Sequence, residues 1–306
     1  DPVSTGGCIA AEAAKRGYIV IAVWSAELTD LYRAHVPPER NSMCFHAHVT
    51  EQLELRETVA LLDAAVGDLN LDAVMVGGDS GVTLADELSD TLGLRTNGTL
   101  PEGSRRNKCL QQDRAKAVGL RSVREALCTQ WEQIKAFIDS EAFPVVLKPV
   151  ESCGSEGVKL CFGIQEAQAH FRLLMATQRA VGFESSAVLV QEFLRGKEYV
   201  VDHCSRDGVH KTVNLFVYDK RPCNGAPFVY YGMSPLEDSQ SEEAQALVSY
   251  TRGVLDALGI RNGATHGEVI MTPDGPCLVE MNCRAAGLDG ALVQFQRLIY
   301  GRSQVD

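Results

Sequence analysis

The sequence contains no C-x-x-C pair, and its 10 cysteines follow no regular spacing. In a chain of 306 residues this argues against a disulfide framework and for the reduced cysteine of a cytoplasmic protein. No block rich in Lys and Arg occurs, and the formal net charge is -11, which argues against a nucleic-acid partner. No apolar run approaches the ~20 residues that a membrane span requires, so no membrane partner is expected. The P-loop pattern G-x-x-x-x-G-K-[ST] is absent, as are internal repeats and low-complexity segments. An opening strand is missing as well. Asp1-Pro2-Val3-Ser4-Thr5-Gly6-Gly7 reads as the loop after a strand, leading into a helix around Ile9–Lys15. The chain thus reads as a fragment that starts one element late, which leaves an upstream targeting segment open.

What is present suffices for a large core. Hydrophobic residues make up 45% of the chain, enough for two or three packed units. Helical and strand patterns alternate, so an α/β class with α+β lobes is expected. Over residues 1–102, the apolar runs Tyr18–Trp24 and Asp72–Val76 read as buried parallel strands. With a helix near Glu51–Ala65 and a short strand at Leu94–Thr96, they predict a small doubly wound parallel-sheet domain. Over residues 103–185, a helix from Arg105 to Val118 precedes a hairpin of Phe143–Pro149 and Val158–Cys161, then a helix over Gln165–Thr177. Over residues 186–306, strands are expected at Ala187–Leu194, Glu198–His203, Thr212–Tyr218 and Phe228–Gly232. An amphipathic helix, Glu242–Leu258, then leads to a closing hairpin of Thr265–Met271 and Cys277–Asn282.

That last hairpin carries the strongest chemical signal. Glu268 and Glu280 lie on its two strands, where cross-strand neighbours sit ~5 Å apart. Asn282 shares the face of Glu280, and Arg284 follows just beyond. Two carboxylates and an amide oxygen suit a hard cation such as Mg²⁺. The adjacent arginine can neutralise a transferring phosphoryl group. The plain alternative, an exposed acidic hairpin, fits a lone Glu pair better than it fits this fourfold set.

A second signal is the tip Glu151–Gly157. Its small residues let backbone N–H groups approach phosphate oxygens. Lys148, at the end of an apolar strand, is either an edge device or a buried cation awaiting an anion, and the neighbouring tip favours the second. A third is the break Gln191–Tyr199 between two strands, which alone would be an ordinary loop. His46 and His48 share a strand face but have no third ligand, so no metal role is given to them. Asp79 and Ser80 follow a strand where a substrate contact or a simple turn is expected. No cysteine is given a catalytic role.

The order Arg106-Asn107-Lys108, Lys148-Pro149, Gly154-Ser155-x-Gly157-Val158, Gln191-Glu192-Phe193-Leu194-x-Gly196-x-Glu198-Tyr199, Thr265-His266-Gly267-Glu268 and Glu280-Met281-Asn282-x-Arg284 resembles the ATP-grasp superfamily. The resemblance runs from Arg105 to Gly287. Within the superfamily, Asp1–Gly6 and Thr265–Glu268 are most similar to L-amino-acid ligases and related carboxylate–amine ligases.

The resemblance implies an ATP-grasp fold behind the small N-terminal domain. It also implies an amide-forming reaction of a small-molecule carboxylate with an amine, through an acyl phosphate. ATP and Mg²⁺ (or Mn²⁺) would be the cofactors. Lys108 and Lys148 would contact the phosphates, with Ser152, Gly154, Ser155 and Gly157 covering them. Gln191 or Glu192, with the backbone of Glu192 and Leu194 on either side of Phe193, would hold adenine, and Glu198 the ribose. Glu268, Glu280 and Asn282 would hold the metal, and Arg284 the phosphoryl and tetrahedral species. His266 would line the acceptor pocket, or else be a hydrogen-bonded core histidine. The chain ends soon after Arg284, where full-length amino-acid ligases continue, and Gln191 stands where many relatives have glutamate. Other readings are a biotin-carboxylase-like enzyme and a non-catalytic nucleotide-binding protein. The oligomeric state is left open, a homodimer being one option.

Overall fold

The computed structural model describes residues 1–28, 45–100, 103–149, 157–180, 187–224 and 226–306. Three sheets organise them. Strands β1 (Ile21–Trp24) and β2 (Ala47–Thr50) form a parallel pair, packed against α2 (Leu55–Val66) and α3 (Val82–Thr91) through Val49, Leu62, Leu84 and Leu88. Helix α1 (Thr5–Lys15) starts one turn earlier than its apolar pattern suggests. His48 ends on the exposed side of β2, where Trp24 Nε1 donates to its Nδ1 at 3.1 Å.

Asp72–Val76 and Leu94–Thr96 are not strands. Val74 still packs into the first core and Val76 against the third, so burial produced the apolar pattern without a ladder. The Leu94–Thr96 backbone is claimed elsewhere: Leu94 N–H donates to Ser89 O, and Asn262 Nδ2 donates to Thr96 O.

The second sheet is antiparallel. It contains β3 (Glu125–Cys128), β4 (Val145–Pro149), β5 (Lys159–Cys161) and β6 (Val188–Glu192) in the order β3-β6-β4-β5. Helices α5 (Trp131–Glu141) and α6 (Ile164–Ala180) cover one face, burying Ile134, Ile138, Phe171 and Leu174 on Val145, Leu147, Val188 and Val190. The period-2 alternation puts Val146, Lys148, Leu189 and Gln191 on the opposite face.

The third sheet holds β7 (Lys197–Arg206), β8 (Val209–Cys223), β9 (Ala226–Pro235), β10 (Gly263–Thr272) and β11 (Gly275–Asn282), ordered β11-β10-β7-β8-β9. Helix α7 (Glu242–Ala257) packs on it. Ser241 caps α7 by accepting from Ala244 N–H at 3.2 Å, and Glu242 and Glu243 complement the dipole in the first turn. Leu247, Tyr250, Val254 and Leu255 of α7 meet Tyr199, Val201, Val269 and Met281. The other face of this sheet carries the charged residues. Helix α8 (Ala291–Tyr300), an amphipathic helix not among the elements expected from the sequence, follows the last hairpin.

Between the units lies α4 (Lys108–Ala117), capped by Asn107, whose Oδ1 accepts from Cys109 and Leu110 N–H. Just before it, Arg105 is 4% exposed and ties the segments together. It donates to Asp86 at 2.6 Å, to the carbonyls of Gly98 and Asn97, and to the carbonyls of Leu258 and Gly259. Arg105→Leu would remove a donor from Asp86 and from four carbonyls. We expect it to destabilise the protein by about 3–5 kcal/mol in denaturant unfolding. A loss well under that range would mean the junction does not depend on this arginine.

Candidate active site

The site is built from the β10–β11 hairpin. Glu268 pairs with Glu280, and His266 with Asn282, so all four side chains face the cleft. Alternation alone would then put Leu278 in the cleft beside Glu280. A bulge prevents this: β11 gains one residue, Val279, between the Glu268–Glu280 and Val269–Leu278 pairs. Leu278 turns into the core while Glu280 stays in the cleft. Backbone groups here find side-chain partners. Leu278 N–H donates to Tyr250 Oη at 2.9 Å, and Gln112 Nε2 donates to Leu278 O at 2.9 Å.

Around the two carboxylates the charges are ordered. Lys108 Nζ lies 2.5 Å from Glu280 Oε2. Arg284 donates to Asn282 Oδ1 at 3.3 Å and to Asp79 Oδ2 at 2.8 Å, so the first unit reaches the hairpin through it. Glu268 accepts from Tyr218 Oη at 3.2 Å and stands 3.5 Å from His266 Nε2, both on Oε1. Burial works to raise the Glu268 carboxyl, but His266, Lys220 and Tyr218 pull it down to about 2. Burial also disfavours the His266 cation, yet Asp202 and Glu268 hold it up at about 10. His266 is thus a buried histidine, hydrogen-bonded to Asp202 at 2.8 Å and 3.5 Å from Glu268.

The opposing sheet brings Lys148 to the same cleft. Burial, and then the charge of Lys108, hold its ammonium below the ordinary value, against the pull of Glu125, Cys109 and Glu280. Lys148 makes no ion pair among the described residues. Gly157 follows, with φ +71 and its Cβ position 2.8 Å from Pro149 Cγ, so only glycine fits there. Ser152, Gly154 and Ser155 lie outside the described residues.

The hinge differs from expectation in its side chains. Glu192 points away from the cleft, because it shares the helix face of Val190. Its carboxylate takes Arg121 at 2.8 Å, Arg124 at 2.5 Å and the Arg124 N–H at 2.7 Å. Gln191 faces the cleft but donates to Glu125. Phe193 and Leu194 lie in the break between β6 and β7, and Gly196 lets this segment press against Met271 O. Glu198 is closed by Lys220 at 2.5 Å, and Lys220 also lies 4.1 Å over the Tyr230 ring.

Sequence reading missed Asp202, Tyr218, Lys220 and Tyr230 as cleft residues. Asp202 was accessible, since Glu198, Val200 and Asp202 alternate on one strand face. Lys220 was not, because the apolar pattern of β8 fades before the strand ends.

Residues 141–291 match the family model described as an ATP-grasp domain. The chain carries an ATP-grasp domain. Dapdiamide A synthase of Enterobacter agglomerans is 35% identical over 219 residues, 71% of this chain and 51% of that protein. Alanine–anticapsin ligase of Bacillus subtilis (strain 168) is 23% identical over 275 residues, 84% of this chain and 58% of that protein. The chain therefore spans between 51% and 58% of the length of these curated relatives. The crystal structure of L-amino acid ligase from Bacillus licheniformis shares the fold, with a TM-score of 0.67 at 18% identity, covering 95% of this chain and 67% of that one. Among the described residues of this ATP-grasp chain, no helix is long and apolar enough to cross a membrane.

The placement of Glu192 yields a test. Glu192→Gln should cost about 1–3 kcal/mol of stability, because Arg121 and the Arg124 amide lose an ionised acceptor. The affinity of the cleft for nucleotide should be kept. A variant of native stability with lost nucleotide binding would return Glu192 to the cleft.

Proposed function

We propose that this chain forms the catalytic core of an ATP-dependent carboxylate–amine ligase. The observation that carries the reading is the pairing of Glu268 with Glu280 across one hairpin, facing Lys108, Lys148 and Arg284. Among the described residues no cluster of three or more His, Cys, Asp and Glu forms a metal cage. Mg²⁺ does not need one, since it binds through one or two carboxylates and completes its shell with phosphates and water. The donor set here is all oxygen, and the Lys108 ammonium already occupies the cation position on Glu280. Glu268, Glu280 and Asn282 would hold the metal, which when bound neutralises charge on the phosphate oxygens.

The chain's own residues supply the rest. Lys148, which makes no ion pair among the described residues, would take phosphate oxygens, and Lys108 would join it on leaving Glu280. The Phe193–Leu194 backbone would hold the adenine edge. A substrate carboxylate oxygen attacks the γ-phosphorus, and ADP leaves. The amine nitrogen then attacks the acyl carbon; phosphate leaves with that carboxylate oxygen, and the amine gives up a proton. Arg284, free to exchange Asp79 for substrate, would stabilise the tetrahedral oxyanion. The name of one relative, a ligase joining alanine to anticapsin, supports an amino acid as one of the two substrates.

Two measurements test this. Lys148→Ala should weaken ATP binding by about 1.5–3 kcal/mol in calorimetric titration, the worth of a charge-assisted contact. An unchanged dissociation constant would leave Lys148 a strand-end cation. With ¹⁸O-labelled carboxylate substrate, the label should appear in inorganic phosphate and ADP should accumulate. Label in AMP, or release of pyrophosphate, would make the reaction an adenylation.

A further inference from the structure

Asp202 is fully buried, on the cleft face of β7, yet touches neither Glu280 nor Asn282. A buried carboxylate costs several kcal/mol unless its oxygens are satisfied. Here three donors from three elements satisfy it. Oδ1 accepts from His266 Nδ1 of β10 at 2.8 Å; Oδ2 accepts from Asn214 Nδ2 of β8 at 3.0 Å and from Gln296 Nε2 of α8 at 3.2 Å.

The pairing has a geometric consequence. A carboxylate only accepts, so the His266 Nδ1 carries the hydrogen and the ring cannot turn. Nε2 then sits 3.5 Å from Glu268 Oε1, the same oxygen that accepts from Tyr218 at 3.2 Å. Among the described residues Oε2 of Glu268 accepts no hydrogen bond, and it is not one of the fully buried unpaired atoms. One oxygen is thus held while the other is open to the cleft.

We propose that Asp202 is a positioning residue for Glu268. It pins the His266 ring, the ring and Tyr218 fix Oε1, and Oε2 is presented to a divalent cation. This inference rests on the reading that Glu268 and Glu280 hold Mg²⁺. Outer partners of this kind typically contribute 10–100-fold in metal affinity.

The test uses full-length protein with ADP and follows Mn²⁺ binding by electron paramagnetic resonance. Asp202→Asn should weaken Mn²⁺ binding about 10–100-fold. The Mg²⁺ concentration giving half-maximal turnover should rise by the same factor, with kcat at saturating Mg²⁺ largely kept. Asn214→Leu removes a donor from Asp202 and also the unpaired acceptor Asn214 Oδ1, but leaves the Asp202–His266 contact, so it should shift Mn²⁺ affinity much less. Equal shifts in both variants would mean general loosening and would overturn the proposal. Should Asp202→Asn fail to fold, His266→Asn decides. Its amide can still donate to Asp202 but cannot reach Glu268, and it should show the same loss. Wild-type Mn²⁺ affinity in whichever variant folds overturns the positioning role alone. A wild-type protein that binds no Mn²⁺ with ADP overturns the metal reading as well.

Discussion

Strand β11 is an edge strand, and the chemistry of the cleft depends on how that edge is closed. Two nearly buried glutamines of α4 do it. Gln111 donates to Met281 O and accepts from Met281 N–H, both at 2.8 Å, as a neighbouring strand would. Gln112 takes Leu278 O at the bulge. An unclosed edge would leave backbone groups without partners beside the core. Because Lys108 opens the same helix, the contacts that seal the edge also set the ammonium against Glu280. The register of one helix on one strand thus fixes a cation and an anion that are 172 residues apart in sequence.

The third sheet then divides its labour by face. Tyr199, Val201, Val269 and Met281 meet α7 and supply the burial that holds the strands rigid. Glu198, Asp202, His266, Glu268 and Glu280 occupy the other face. So many carboxylates on one surface would repel one another if left alone. Each is answered by a specific donor: Lys220 for Glu198, His266 for Asp202 and Glu268, Lys108 for Glu280. A satisfied polar network of this kind specifies one arrangement of its members more sharply than apolar packing does.

How far the sequence disclosed this depended on local periodicity. The β10–β11 hairpin was legible because its turn and its paired carboxylates both lie within 20 residues. The bulge at Val279 was not, although without it Leu278 would sit in the cleft. Glu192 misled for a related reason. Its neighbours resembled a family motif, but strand parity turns it toward Arg121 and Arg124, and parity cannot be read until the strand's buried face is known. Asp72–Val76 showed the converse error, since a buried run need not be a hydrogen-bonded strand. Asp202 was visible by alternation yet silent about its role, because His266, Asn214 and Gln296 reach it from distant segments.

The Lys108–Glu280 contact is also a thermodynamic link. A cation arriving at Glu280 evicts Lys108 and leaves an ammonium in the cleft seeking an anion. An anion arriving at Lys108 uncovers a carboxylate seeking a cation. Either visitor alone leaves behind an unmatched charge, and only the two together restore balance. By reciprocity, whatever factor the first adds to the affinity of the second, the second returns to the first. If Glu280 holds the metal and Lys108 the phosphate, as proposed above, the cleft would favour neutral pairs of visitors over single ions, a selectivity that comes from one ion pair between a helix start and a strand end.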